Sequence, residues 1–503
     1  MSEDKDTGEV AVGPGTPGQP TVEDRPLTFP YLYAFVAGGS LLVLELVAGR
    51  ILAPTLGVSL YTWTSVIGVV LAGIALGNYA GGRIADRYPN RLTLSVLFFL
   101  SAAASALVLA LASDLESLEV PTDWPALLRT VWLTGLVFFL PSTLLGTITP
   151  MLAKLSLLSL DATGRVVGRL QAAATVGSIL GTFATGFFLI SWFGTREIVG
   201  GVSAMLLLLG ILSMGRPRLP LLSVSALAGA FLAAMWITSA DNCLRESDYY
   251  CIRVESRGST TLALVLDRNV HGIVDLKDPA RLIAPYEQMM QQSLEARFEA
   301  GVDIDAFAIG GGTYSFPRYW IDRYEGEVLV AEIDPEVTDV ARTYFGLSDD
   351  PRIRIEHEDA RIVARKLHSD ERFDVAFADA FRDSTVPYQL TTREFNDMIA
   401  RHLKPDGLYF ASLADGHDYD FLRSYIRTLR LTFPQVGLLA RTKARSFDGI
   451  NSNFVVVASD APLEPVDSML SPEHLEAFMR SRDSVVLTDD HAPVEQLLAP
   501  AYR

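Results

Sequence analysis

The hydropathy pattern divides the chain near residue 240. From Tyr31 to Thr238 charges are sparse and apolar residues form long runs, whereas from Leu244 onward short apolar stretches alternate with charged ones. The first part contains seven apolar segments, at 31–52, 62–82, 92–112, 127–151, 167–192, 198–214 and 219–239. Each is close to the roughly 20 residues that cross a bilayer. The second part begins with ESDYYCIRVES, TTLALVLD and NVHGIVDL, β-rich runs separated by turn residues that predict a small antiparallel sheet. A helical stretch, ARLIAPYEQMMQQSLEARF, follows. Strands are then predicted at 306–309, 328–331, 353–357, 373–378 and 408–413, with a helix at 392–402 and a turn at LKPDG before the last of them.

Alternating strands and helices imply a mostly parallel sheet covered by helices on both faces, a Rossmann-like α/β fold. The expected organisation is therefore a tail at 1–29 and a seven-helix transmembrane domain at 30–240, with the lipid bilayer as its partner. A small β-sheet domain with its linking helix at 241–300 and a Rossmann-like domain at 301–503 complete it.

Charge assigns a topology to the apolar half. Arg83, Arg87 and Arg91 mark the second connection, Lys154, Arg165 and Arg169 the fourth, and Arg216 and Arg218 the sixth. The first connection is uncharged, and the third carries Asp114, Glu116, Glu119 and Asp123. Lysine and arginine collect on the cytoplasmic side, so the N-terminus is predicted to be cytoplasmic in the cell membrane. Seven crossings then leave the soluble part extracytoplasmic, and one miscounted span reverses that parity. The first 29 residues are rich in Gly, Pro, Asp and Glu and read as a disordered tail, without the basic and apolar order of a cleavable signal.

Cys243 and Cys251 stand eight apart and fit either a disulfide or two free thiols. Glu45 and Arg50 lie in the first apolar segment, where an ionisable group is a functional candidate; a buried structural ion pair fits them as well. Gly177 and Gly181 in GSILG suit close helix packing, and Pro141 and Pro150 are candidate kinks of the fourth segment. The net charge of −17 argues against nucleic acid as a partner, because phosphate binding requires basic surface.

Candidate chemistry centres on DAFAIGGGTYSFPRYWIDRYEGEVLVAEID, residues 305–334. An apolar strand ends in Gly310, Gly311 and Gly312, and a second strand ends on Glu332 and Asp334. Glycines after the first strand let backbone approach a ligand closely, and an acid at the tip of the second is placed to accept hydrogen bonds from ribose hydroxyls. The stretch reads as an adenosyl-nucleoside site, although alone it also fits an ordinary strand-to-helix turn. Ligands of such sheets bind at the carboxyl ends of strands. Glu332, Asp359 and Asp379 close three of them beside the Gly310 loop. A carboxylate such as Asp379 serves an alkylammonium both as anchor and as general base, because the amine attacks only after losing a proton.

The pieces ELVAGRILAPTLGVSLYTW, GNYAGGRIADRYP, TVGSILGTFATGFFLISWFG, ESDYYCIRV, PYEQMM, GGGTYSFPR, AEIDPEV, EDAR, FADAF and LTDDHAPVEQLL together resemble the spermidine synthase (polyamine aminopropyltransferase) family, in its membrane-fused form. The resemblance implies the spermidine-synthase and methyltransferase fold. It implies aminopropyl transfer from decarboxylated S-adenosylmethionine to a diamine such as putrescine, with methylthioadenosine released. No permanently bound cofactor and no metal are implied, and a homodimer is the expected assembly by the same likeness.

By that resemblance Gly310–Gly312 line the donor's site, Glu332 binds its ribose, and Asp334 belongs with them. Asp359 with Ala360 faces the adenine. Asp379 orients and deprotonates the acceptor, Tyr286 supports it, and Asp383 joins the acceptor site. The chain also departs from the family. Thr313 stands where soluble members have an acid after the glycines, YEQ replaces YQE, and in DAFRDSTVP Arg382 takes the spacing of a second acid, with Asp383 displaced by one. Asp489, Asp490 and His491 are candidates for replacement groups or for a helix cap. An S-adenosylmethionine-dependent methyltransferase on the same fold, and a non-catalytic polyamine-binding or transport protein, are the alternative readings.

Overall fold

The computed structural model describes residues 29–56, 59–114, 126–157, 162–214, 243–380, 386–416, 418–441 and 452–498, together with Gly229. The expected tail up to residue 28, the charges Glu116, Glu119, Asp123, Arg216 and Arg218, and Arg382 with Asp383 lie outside the described residues.

The apolar half is helical: α1 (Pro30–Leu56), α2 (Leu60–Arg87), α3 (Arg91–Asp114), α4 (Ala126–Gly146), α5 (Ile148–Ser156), α6 (Thr163–Ala184), α7 (Ile190–Trp192) and α8 (Thr195–Ser213). The fourth segment breaks between α4 and α5 because Pro150, in the first turn of α5, has no amide to continue the preceding helix. A π-turn, Thr185–Leu189, joins α6 to α7. Six stretches among the described residues are long and apolar enough to cross a membrane, not the expected seven. The segment at 219–239 lies outside them except for Gly229. Hydropathy by itself counts apolar runs and cannot separate a crossing helix from any other.

Small residues set the helix contacts. A Cβ on Gly177 would stand 1.9 Å from the Phe35 carbonyl oxygen and one on Gly181 2.7 Å from that of Gly39, so α1 and α6 touch backbone to backbone at GSILG.

The charged half holds two sheets. Strands β1 (Arg245–Glu246), β2 (Cys251–Ser256), β3 (Thr261–Leu266) and β4 (Asn269–Asp275) form an antiparallel sheet in sequence order, and Cys243 is disulfide-bonded to Cys251 beside it. Helix α9 (Pro285–Arg297) leads to the larger sheet, built from β5 (Ala306–Ile309), β6 (Val328–Ala331), β7 (Ile353–Glu356), β8 (Phe373–Ala378), β9 (Leu403–Asp415), β10 (Gln435–Leu439) and β11 (Ser452–Ser459). Its order is β10-β11-β9-β8-β5-β6-β7, parallel from β9 to β7 and antiparallel at β10 and β11. Both faces are covered: Ala306 and Ala308 enter one core with Trp320 and Met290, while Phe307 and Ile309 enter the other with Phe395 and Tyr425. Double burial explains why β5 reads as a continuous apolar run rather than an alternating one.

LKPDG is not a turn between elements, as expected, but part of β9. Phe373 pairs with Leu403 and Val375 with Leu408, so the polar residues bulge from a strand that continues.

The sheet region docks on one end of the helix bundle. Leu60, at the start of α2, donates its amide to Glu495 Oε2 at 2.7 Å, and Thr195, at the start of α8, donates to Glu246 Oε2 at 2.8 Å. Near the end of α1, Arg50 Nε lies 3.7 Å from Glu246 Oε1. The opposite end of the bundle carries Arg87, Arg91 and Lys154, the last paired with Asp86 at 2.7 Å.

Candidate active site

In the larger sheet the chain leaves β5 toward β6 on one side and β8 on the other, and a crevice opens at the carboxyl ends of these strands. A cavity of about 1210 Å³ occupies it. Gly310–Gly312, Glu332, Asp359, Ala360, Tyr286 and Asp379 all line that one space.

Gly310 leaves β5 with φ +95, a conformation that favours glycine, and a Cβ there would stand 2.8 Å from the carbonyl oxygen of Asp379. The glycine amides then face the end of β6. Gly311 donates to Glu332 Oε2 at 2.8 Å and Gly312 to the same oxygen at 3.4 Å, while the Asp334 amide reaches Oε1 at 2.9 Å. Burial pushes the Glu332 carboxyl above its ordinary value, and these backbone donors pull the other way. The carboxylate is therefore fixed in direction before any ligand arrives.

Asp334, expected among the donor-binding residues, does not line the cavity. It caps helix α11 (Pro335–Tyr344; α10 is Ser315–Arg323), accepting the Glu336 amide at 3.0 Å on Oδ1 and the Ser247 hydroxyl on Oδ2. An aspartate before Pro-Glu at a strand end carries the signature of a helix cap, which competes with that of a ligand group. Asp359 likewise caps α12 (Ala360–Lys366) through the Arg361 amide at 2.8 Å, but its other oxygen is at the cavity, 3.3 Å from Gln389 Nε2.

At the other end, the Tyr286 hydroxyl donates to Asp379 Oδ2 at 2.8 Å. Burial raises the Asp379 carboxyl to about 6, against the opposing hydrogen bonds of Tyr286 and Ser412. Burial, with Asp379 and Glu287 nearby, pushes the Tyr286 phenol well up, so it remains a proton donor. Thr313, in the place of the missing acid, is buried with its hydroxyl 2.8 Å from that of Ser315.

Two cavity residues escaped the sequence reading. Glu287 is buried beside Tyr286, accepts the Ala284 amide at 3.0 Å, and is driven by burial to about 8. Inside PYEQMM it looked like a permuted motif letter rather than a second carboxyl at the site. His271, on β4, has a buried Nε2 without a hydrogen-bond partner among the described residues, and burial lowers its imidazole to about 4. In NVHGIVDL only the strand pattern was legible. Of the C-terminal candidates, Asp490 and His491 line the cavity, whereas Asp489 is bound to Arg361, with Oδ1 2.8 Å from Nη1. Among the described residues no group of three His, Cys, Asp or Glu is placed to hold a metal ion.

Known proteins share part of this sequence. Residues 305–440 match the spermine/spermidine synthase domain. The chain is 28% identical over 220 residues to a probable polyamine aminopropyl transferase of Bifidobacterium longum, covering 38% of this chain and 48% of that one. It is 26% identical over 336 residues to a polyamine aminopropyltransferase of Corynebacterium efficiens, covering 60% and 62%. The chain thus spans about half to three fifths of the length of these curated relatives. A solved probable spermidine synthase from Corynebacterium glutamicum superposes with a TM-score of 0.41 at 24% identity, over 47% of this chain and 85% of that one. Residues 305–440 are thus similar to the spermine/spermidine synthase domain and the chain to polyamine aminopropyltransferases, and six apolar helices precede that stretch among the described residues.

Proposed function

We propose that the protein is a membrane-anchored polyamine aminopropyltransferase, moving an aminopropyl group from decarboxylated S-adenosylmethionine to a diamine such as putrescine. The observation that carries this reading is the Tyr286–Asp379 pair, 2.8 Å apart, in the same cavity as the glycine loop and Glu332. The nucleoside lies along Gly310–Gly312, its ribose hydroxyls on Glu332 and its adenine beside Asp359 and Ala360. Asp379 takes a proton from the acceptor ammonium. The freed amine attacks the carbon next to the sulfonium, the new C–N bond forms as the C–S bond breaks, and the electron pair returns to sulfur. Methylthioadenosine leaves neutral. Positioning supplies much of the acceleration in such a displacement, and a base near pH 6 is ionised at neutral pH yet basic enough to assist.

An extracytoplasmic position of the sheet region belongs to the same proposal, along with the domain division at residues 240 and 300. It is supported by the docking of that region on the bundle end opposite Arg87, Arg91 and Lys154, and by the Cys243–Cys251 disulfide. Thiol labelling of single-cysteine variants in intact cells tests the side.

One observation favours a second reading, transfer of a methyl group from intact S-adenosylmethionine. The hydroxyl of Thr313 faces Ser315, so this position offers no carboxylate to an aminopropyl ammonium. Product analysis on purified protein separates the two. Methylthioadenosine with spermidine, from the decarboxylated donor alone, supports the first; S-adenosylhomocysteine from the intact donor replaces it with the second.

A further inference from the structure

One chain of polar contacts joins the membrane helices to the glycine loop. Arg50, near the end of α1, donates from Nη2 to the Ser247 carbonyl oxygen and from Nη1 to that of Ile190 at 3.4 Å. Ser247 also faces the other way. Its hydroxyl donates to Asp334 Oδ2 and accepts the amides of Tyr249 at 3.1 Å and Tyr250 at 2.9 Å. The Asp334 amide holds Glu332 Oε1 at 2.9 Å, and Glu332 Oε2 holds the Gly311 amide at 2.8 Å. Ser247, Asp334 and Glu332 are all buried, which strengthens each link and makes its loss expensive.

The chain has little slack. Asp334 Oδ1 is already committed to the Glu336 amide at 3.0 Å, so its carboxylate cannot rotate to absorb a shift of Ser247. Strand β1 is clamped from both sides: Glu246 receives the Thr195 amide from α8, and Arg245 pairs with Glu336 and, at 3.6 Å, with Asp339 on α11. A displacement of β1 relative to α1 is therefore passed to Glu332 rather than dissipated.

We infer that Arg50 is a positioning residue for the donor site, holding Glu332 and the glycine loop through Ser247 and Asp334. The helix bundle is then part of the machinery that binds the nucleoside and not only a tether. This rests on the reading of Glu332 and the glycine loop as the donor's seat. It also gives Arg50 a role distinct from that of Glu45, which belongs to no part of this chain of contacts.

The test measures methylthioadenosine affinity of the full-length protein in nanodiscs, alongside steady-state turnover. Arg50→Gln is expected to weaken the probe about tenfold, with kcat and acceptor KM within about twofold of the parent, a size typical of coupling between sites. Arg50→Lys, which keeps the charge but not the fork, should recover part of the loss. Ser247→Ala removes the hydroxyl link to Asp334, together with the acceptor for the Tyr249 and Tyr250 amides, without touching the membrane helices, so with its melting temperature measured alongside it carries the test even where Arg50→Gln fails to insert. It should reproduce the loss, and the double variant should lose no more than the worse single one, because both cut the same chain. Unchanged probe affinity in Ser247→Ala, or additive losses in the double variant, overturns the inference. A parent protein that binds methylthioadenosine but transfers no aminopropyl group sinks the proposed activity and leaves this test standing. One that binds no adenosyl nucleoside overturns both.

Discussion

The two ends of the cavity are built on different principles. At the nucleotide end the acids are held by backbone amides: Gly311, Gly312 and Asp334 for Glu332, and Arg361 for Asp359. At the amine end Asp379 meets the hydroxyls of Tyr286 and Ser412 and Glu287 the amides of Ala284 and Ile283, yet burial still drives the first to about 6 and the second to about 8. One end fixes the directions of its carboxylates in advance, which in the proposed reading suits ribose hydroxyls and a base. At the other, burial leaves Glu287 largely protonated at neutral pH beside an ionised Asp379, so in the proposed reading a bound cation would favour ionising both. On that reading, binding selectivity at the first would be a matter of geometry, and at the second of charge.

Substitutions at the two ends should fail in different ways. The largest effect is expected from Asp379→Asn, with kcat falling about 10²- to 10⁴-fold, the usual worth of a general base, and methylthioadenosine affinity retained. Unchanged turnover would remove Asp379 from the proton transfer. Glu332→Gln should do the reverse. Hydrogen bonds to a charged group are worth about 1.5–3 kcal/mol, so donor affinity should fall about 10- to 100-fold while kcat at saturating donor stays near that of the parent. A variant that binds donor normally but turns over slowly would erase the distinction between the ends. Gly310→Ala should come next, because it strains the junction of both. Its backbone conformation and the approach to the Asp379 carbonyl predict about 1–3 kcal/mol of destabilisation, read as a lowered melting temperature.

This division also shows how far the sequence could be read. The placement of the glycine loop beside strand-terminal acids was legible because both are local patterns, and β5, β6 and β8 fall at the expected residues. Asp334 misled for the same reason: a cap and a ligand group share one local signature. The amine end depends on contacts across long separations, such as Tyr286 with Asp379 over 93 residues, which only the resemblance supplied. Glu287, on α9, and His271, on β4, owe their character to burial under neighbouring elements, which the residue types alone do not announce. The Arg50–Ser247 contact spans 197 residues. From sequence, Arg50 was an ionisable group at the end of an apolar segment, with its partner unseen.

A last effect, to which the amine end contributes through Asp379 and Glu287, is a slope of stability with pH. Unfolded carboxyls titrate at about 4, whereas in the folded protein Asp379 sits at about 6 and Glu287 at about 8, and burial raises Asp415, outside the cavity at the end of β9, to about 7. Between these limits the folded state binds more protons than the unfolded one, so stability falls as pH rises. The contribution of Glu287 is fully present below pH 4 and is lost progressively up to about 8; that of Asp379 is spent by about 6. Melting temperatures of the ligand-free protein should therefore decline between pH 5 and 8, within about the range in which buried carboxyls titrate. Glu287→Gln should flatten the part of that decline above pH 6, and putrescine should flatten it in the parent, because a bound ammonium favours the ionised pair. Arg318 is the charge near Glu287 that opposes the effect. If Glu287→Gln melts in parallel with the parent at every pH, Arg318 already holds Glu287 ionised. The amine end is then a preformed anionic site, and the contrast with the nucleotide end narrows to Asp379 alone.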